Sequence, residues 1–143
     1  MATYKNDIIL IAGSGDFAFE AADFLTSKGN LSHIILISKN AKIYKQFKNI
    51  VSYFDIRDIE QIIKFIKKRL ITKVLIIGYV QLPPINEIKL SLSSKLILSK
   101  NIFSNDINNQ SKILKKFIES KNLKLLSQKI IFDKLLINYS DHH

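Results

Sequence analysis

The chain predicts an α/β fold: a Rossmann-like, doubly wound, mostly parallel sheet of about five strands with helices on both faces. Three observations carry that expectation. Short unbroken apolar runs recur along the sequence, where a half-exposed strand would alternate apolar and polar residues. Stretches with apolar residues at helical spacing separate those runs. The first run ends in glycines that open directly onto a helix. Strands alternating with helices pair in parallel, and right-handed crossovers between them place helices on both sides.

Taken in order, Asp7–Gly13 (DIILIAG) reads as the first buried strand. A helix is expected over Asp16–Lys28, where Ala18, Ala21, Ala22 and Leu25 form one small-residue face that can lie close on a sheet. Gly29 stands at the C′ position that ends it. His33–Ser38 is the second strand, a short lysine-rich helix follows over Ala41–Lys48, and Ile50–Phe54 is the third strand. Asp58 with Gln61 has the spacing of a capping box, and Ile59, Ile62, Ile63, Ile66 and Leu70 give the next helix an apolar face. Lys73–Gly78 (KVLIIG) is the fourth strand, and Tyr79–Glu87 is the proline-bearing loop behind it. Ile88–Leu98 is ambiguous and reads as helical in part. A helix over Ile107–Lys121 stops at Asn122, a residue that tolerates the left-handed conformation. Leu123–Ser127 is the fifth strand and Ile130–Ile137 a closing helix.

A length of 143 residues fits one domain, placed at 1–137, with the polar residues 138–143 as a tail or truncated linker. The absence of cysteine excludes disulfides and thiolate metal sites. His33 stands alone, His142 and His143 end the chain, and no metal-ligand spacing, catalytic triad or paired carboxylates stand out. The start MATYKNDIILIAG lacks signal-peptide features, and no apolar run approaches the roughly 20 residues that span a bilayer. A cytoplasmic location is expected. The net charge of +10 raises nucleic acid as a partner. Its lysines (Lys42, Lys45, Lys48, Lys64, Lys67, Lys68, Lys112, Lys115, Lys116) are spread over several helices rather than gathered in a stripe, so solvated helix faces are expected and no nucleic-acid partner. Asp55, Arg57 and Asp58 form the densest mixed-charge cluster and read as helix-start chemistry.

The loop IAGSGDFA is the main candidate site. Gly13 allows a tight turn, Gly15 lets a phosphate approach the backbone, and Ala18 is small where the dinucleotide fingerprint has its third glycine. The N–H groups of the following helix turn supply anion donors. A dinucleotide site also needs an acid at the end of the second strand for the ribose hydroxyls. That strand ends in Ser38-Lys39-Asn40, and Asp16 would face the pyrophosphate, so NAD is not expected. The loop by itself leaves two readings open: a diphosphate cradle, or only a strand-to-helix turn.

Three segments together resemble the UDP-2,3-diacylglucosamine pyrophosphatases of bacterial lipid A synthesis, in the form unrelated to calcineurin-like phosphoesterases. IAGSGDFA (Ile11–Ala18) is similar to that family's I-A-G-G-G-x-x-P loop, with Ser14 for the middle glycine and Ala18 for the proline. GYVQLP (Gly78–Pro83) is similar to its G-x-V-x-R-P loop at Gly78, Val80 and Pro83, with Leu82 in place of the arginine. SNDINNQSKILKKFIESKN (Ser104–Asn122) keeps a helix, Glu119 and a turn, but only Asp106 of an acidic cluster.

The resemblance implies a Rossmann-like N-terminal domain that forms one wall of a substrate cleft. The family's reaction is hydrolysis of UDP-2,3-diacylglucosamine to the 1-phosphate and UMP. The resemblance implies substrate-binding roles for Gly13, Ser14, Gly15, Asp16, Gly78, Tyr79, Val80 and Pro83. It also implies that the catalytic residues, and the ligands of a divalent Mg or Mn ion, lie on a C-terminal domain beyond this sequence. Partners would be the UDP-linked glycolipid and that C-terminal domain, with a homodimer and peripheral contact with the inner membrane left open. The alternative is the nucleotide-sugar-binding module of a sugar acyltransferase, which also starts with a strand, a glycine turn and a helix but leads into hexapeptide repeats not found here.

Overall fold

The computed structural model describes residues 7–13, 17–37, 45–78, 87–89 and 107–127. In chain order these form β1 (Ile8–Ala12), α1 (Phe17–Ser27), β2 (Leu31–Leu36), a 3-10 turn (Lys45–Ile50), β3 (Val51–Tyr53), a second 3-10 turn (Ile56–Asp58), α2 (Ile59–Lys68), β4 (Lys73–Ile77), α3 (Ile107–Ser120) and β5 (Lys124–Leu125). The five strands make one sheet in the order β3-β2-β1-β4-β5, and every pair is parallel. The order reverses between β1 and β4. That is the topological switch point of a doubly wound sheet, where ligands bind beyond the carboxyl ends of the strands.

The period of two along a strand divides the core between the two faces. Ile8, Leu10 and Ala12 of β1 pack with Ala18, Ala21, Ala22 and Leu25 of α1. Ile9 and Ile11 point the other way and pack with Ile59, Ile62, Ile63 and Ile66 of α2 and with Leu114, Phe117 and Ile118 of α3. The central strand is therefore apolar at every position because both its faces are covered. The small face of α1 lies on the sheet as its sequence predicts: Ala21 and Ala22 are almost completely buried.

The helix ends show which local signals decide structure. At the end of α1, Asn30 N–H donates to the Leu25 carbonyl at 2.9 Å and Gly29 N–H to that of Thr26 at 3.0 Å. With Gly29 at φ 69, this is a Schellman motif around the expected glycine. Asn122 takes φ 64 after α3, again as expected, and its N–H donates to the Glu119 carbonyl at 3.1 Å.

The end of α2 departs from expectation. Leu70 is not on the buried face; it is 91% exposed at φ 59. The helix stops at Lys68, Leu70 N–H donates to the Lys67 carbonyl at 2.9 Å, and Leu70 takes the left-handed C′ place where glycine is usual. The reversal hands the buried position to Ile71, which joins the Ile66 cluster.

The start of α2 departs too. Asp58 makes no side-chain cap bond, so the expected capping box does not form. The intervening 3-10 turn moves capping upstream, where Asp55 Oδ1 accepts from Arg57 N–H at 2.9 Å. The lysine-rich helix expected over Ala41–Lys48 is represented by the 3-10 turn Lys45–Ile50, and residues 41–44 lie outside the described residues. The expected closing helix at 130–137, and Ile88–Leu98 beyond Lys89, lie outside them as well.

Candidate functional site

Parallel pairing aligns the carboxyl ends of the strands into one rim. Ala12 is in register with Leu36 on β2 and with Ile77 on β4. The residues just after these strands stay joined: Gly13 N–H donates to the Ile77 carbonyl at 2.8 Å, and Ile37 N–H to that of Ala12 at 3.2 Å. Gly13 and Gly78, which begin the two glycine loops, therefore leave the sheet side by side at the switch point. Sequence spacing alone could not bring them together, because 64 residues of other elements intervene between Gly13 and Gly78. The amino end of α1 faces the same rim, since the helix runs back along the sheet from the end of β1. Its first-turn N–H groups are suited to an anion.

The two glycines differ in kind. Gly78 is exposed and takes φ 92, a conformation that an L-residue adopts only at a cost. Gly13 is buried and does not take a positive φ, so its contribution to the turn is its small size and its N–H bond to β4. Of the other candidate residues, Ser14, Gly15, Asp16, Tyr79, Val80 and Pro83 lie outside the described residues, as do Leu82 and Asp106. Glu119 is exposed on α3.

A charge cluster borders the same rim beyond β3. Arg57 donates from Nε and Nη2 to the Asp55 carboxylate at 2.7–3.1 Å. These hydrogen bonds, and next the carboxylate charge, hold the guanidinium still more firmly in its protonated form. The chain returns to this point after the second glycine loop. Lys89 N–H donates to the Arg57 carbonyl at 2.9 Å, Lys89 Nζ lies 3.5 Å from Asp58, and Ile88 is buried in the α2 side of the core. The sequence signal for the cluster was its charge density, but its tie to the segment after β4 had no local signal.

Chemically, the described rim offers backbone N–H donors and, at its β3 end, the charged groups of Asp55, Arg57 and Asp58. No group of three or more His, Cys, Asp or Glu comes together among the described residues. A small crevice on the α2 side, lined by Ile11, Ile37, Ile59, Ile76, Leu114 and Ile118, measures about 10 Å³. It is barely large enough for one water and has no polar group to hold it. No described helix is long and apolar enough to cross a membrane.

His33 belongs to the scaffold. It is the third residue of β2, half-buried, with Nε2 3.0 Å from Ser52 Oγ on β3 and its ring 5.0 Å from that of Phe65 on α2. Burial, and secondarily the charge of Arg69, lowers its pKa. The unfolded chain, with an ordinary value of about 6.5, then binds the proton first. Stability is expected to be full above that pH and to fall as pH drops through the lower folded value. Urea midpoints between pH 5 and 8 should show that decline in the parent chain and a flatter one in His33→Gln. Parallel profiles would remove His33 as its source.

The family model for the LpxI N-terminal domain matches residues 7–135. No curated protein matches the chain.

Proposed function

Because the chain belongs to the LpxI N-terminal domain family of lipid A biosynthesis, we propose that it forms the substrate-cleft wall of a UDP-2,3-diacylglucosamine pyrophosphatase. The observation that carries this reading is the junction of Gly13 and Gly78 at the switch point, with the Gly13 N–H to Ile77 carbonyl bond at 2.8 Å holding it together. Two loops that resemble the family's substrate loops start there. In a parallel sheet this is the place for a phosphate-bearing ligand. The glycine backbone and the amino end of α1 would hold the diphosphate or the 1-phosphate product.

The reaction adds water across the phosphoanhydride and releases UMP and the acylated sugar 1-phosphate. On this reading the chain's part in the reaction is to bind the substrate. No three candidate metal ligands come together among the described residues. We assign metal-assisted hydrolysis to the family's C-terminal domain, and expect the 143 residues alone to bind without turning over. The sequence that follows β2, Ser38-Lys39-Asn40, has no acid for ribose hydroxyls, which disfavours NAD.

The test is a titration followed by amide chemical shifts. UDP-2,3-diacylglucosamine, its 1-phosphate product, UMP and NAD are compared side by side. Shifts at Gly13 and Gly78 with the glycolipid or UMP, and none with NAD, are expected. Shifts with NAD alone, or with none of the four, would overturn the reading.

A further inference from the structure

We propose that the outer side of α2 and α3 is a docking surface for an anionic lipid bilayer, with Leu70 as its apolar contact. The described helices on the two faces of the sheet differ in charge. On one face of the sheet, α1 carries exposed Glu20 and Asp23 and no basic residue. On the other face, α2 and α3 expose Lys64, Lys67, Lys68, Lys115 and Lys116. None of these lysines forms an ion pair among the described residues. The acids of this layer are fewer: Glu119 is exposed, and Glu60 lies 4.0 Å from Lys121. Five lysines from two separate stretches of sequence are thus brought onto one layer by the crossover topology, whereas Lys28 and Lys48 are exposed beside the α1-side core.

Leu70 supplies the second observation. It is one of only two large hydrophobic side chains exposed among the described residues, and the more exposed of them at 91%. It sits at φ 59, directly after Lys67, Lys68 and Arg69. A leucine in that conformation is strained, where glycine or asparagine would not be. Within the described fold it hides no apolar surface, so its backbone cost is unmatched by packing. A bilayer would cover it, and the surrounding lysines would meet the anionic headgroups with their apolar stems laid along the interface. Nucleic acid fits less well, because strand binding favours exposed aromatic platforms. The other exposed large hydrophobic, Tyr53, lies on β3 at the sheet edge, away from the helix surface.

The inference rests on charge and exposure, not on the substrate reading. Vesicles without glycolipid therefore test it separately. The full chain is sedimented with phosphatidylglycerol/phosphatidylethanolamine vesicles, with phosphatidylcholine vesicles, and alone. Binding only to the anionic vesicles, weakened by salt, is expected. Each lost cation should weaken it about fivefold. Lys64→Gln/Lys67→Gln/Lys68→Gln should therefore lower partition by about a hundredfold. Leu70→Asn accepts the left-handed turn, so it should unfold no more easily than the parent chain, and should bind several-fold more weakly with its salt dependence retained. Unchanged partition in the triple variant, equal binding to phosphatidylcholine, or salt-sensitive binding to duplex DNA with none to vesicles would each overturn the proposal.

Discussion

Phe117→Ala is expected to lower stability by about 3–5 kcal/mol, a large share of the roughly 5–15 kcal/mol that keeps a small domain folded. Phe117 has no exposed surface and lies in the core layer beneath α3. Its neighbours there include Ile62 and Ile66 of α2 and Val74 and Ile76 of β4. The backbone gives α3 little support of its own. The strand it leads into, β5, is two residues long and meets β4 through few bonds, among them Lys124 N–H to the Thr72 carbonyl at 2.7 Å and Leu126 N–H to that of Val74 at 2.8 Å. Side-chain packing must therefore hold this edge of the molecule. Truncation to alanine leaves a cavity between two helices and the sheet, which close-packed neighbours fill only in part. Phe117→Leu restores most of the volume and should lose much less. Urea unfolding of the three chains measures both effects. A loss below about 1 kcal/mol for alanine, against the usual range for buried phenylalanine, would mean that α3 is not seated on the sheet as described. The lysines of α2 and α3 would then not share one layer.

The strands were legible because this fold buries them on both faces, so that IILIA and KVLII read as unbroken apolar runs. Gly29 and Asn122 were legible because left-handed helix ends select those residues. Leu70 misled for the same reason in reverse. It continues the helical spacing of Ile59, Ile62, Ile63 and Ile66, yet the chain had already turned, and periodicity carries no information about where a helix stops. Asp58 misled because a capping box is a local pattern, and a 3-10 turn closed by Asp55 satisfied the chain one turn earlier. The rim is a different case. Each glycine was visible, but their contact depends on β4 crossing back to pair with β1, a tertiary event with no local signature. That Lys64, Lys67 and Lys68 share a layer with Lys115 and Lys116 depends on the same crossover.

Gly78→Val is expected to cost about 3 kcal/mol, the upper end for a non-glycine residue forced into a left-handed conformation, and Gly78→Ala about 1–2 kcal/mol. Gly78 holds φ 92 directly after Ile77, the residue whose carbonyl receives the Gly13 N–H. A side chain here cannot be accommodated by relaxing the strand, because Ile77 is fixed in register against Ala12. The strain must fall on Gly78 itself or on the loop that follows it. Thermal or urea unfolding should rank the chains Gly above Ala above Val, with the β-branched residue worst because its χ1 is also restricted. Equal stability of the glycine and alanine chains would show that the φ is not enforced. The same variants separate scaffold from site. Gly78→Ala should remain folded, so its amide shifts can be followed with the glycolipid. Loss of the Gly13 response in that folded variant would show that the two loops act on one ligand, whereas an unchanged response would leave Gly78 as a turn and place the ligand on the first loop alone.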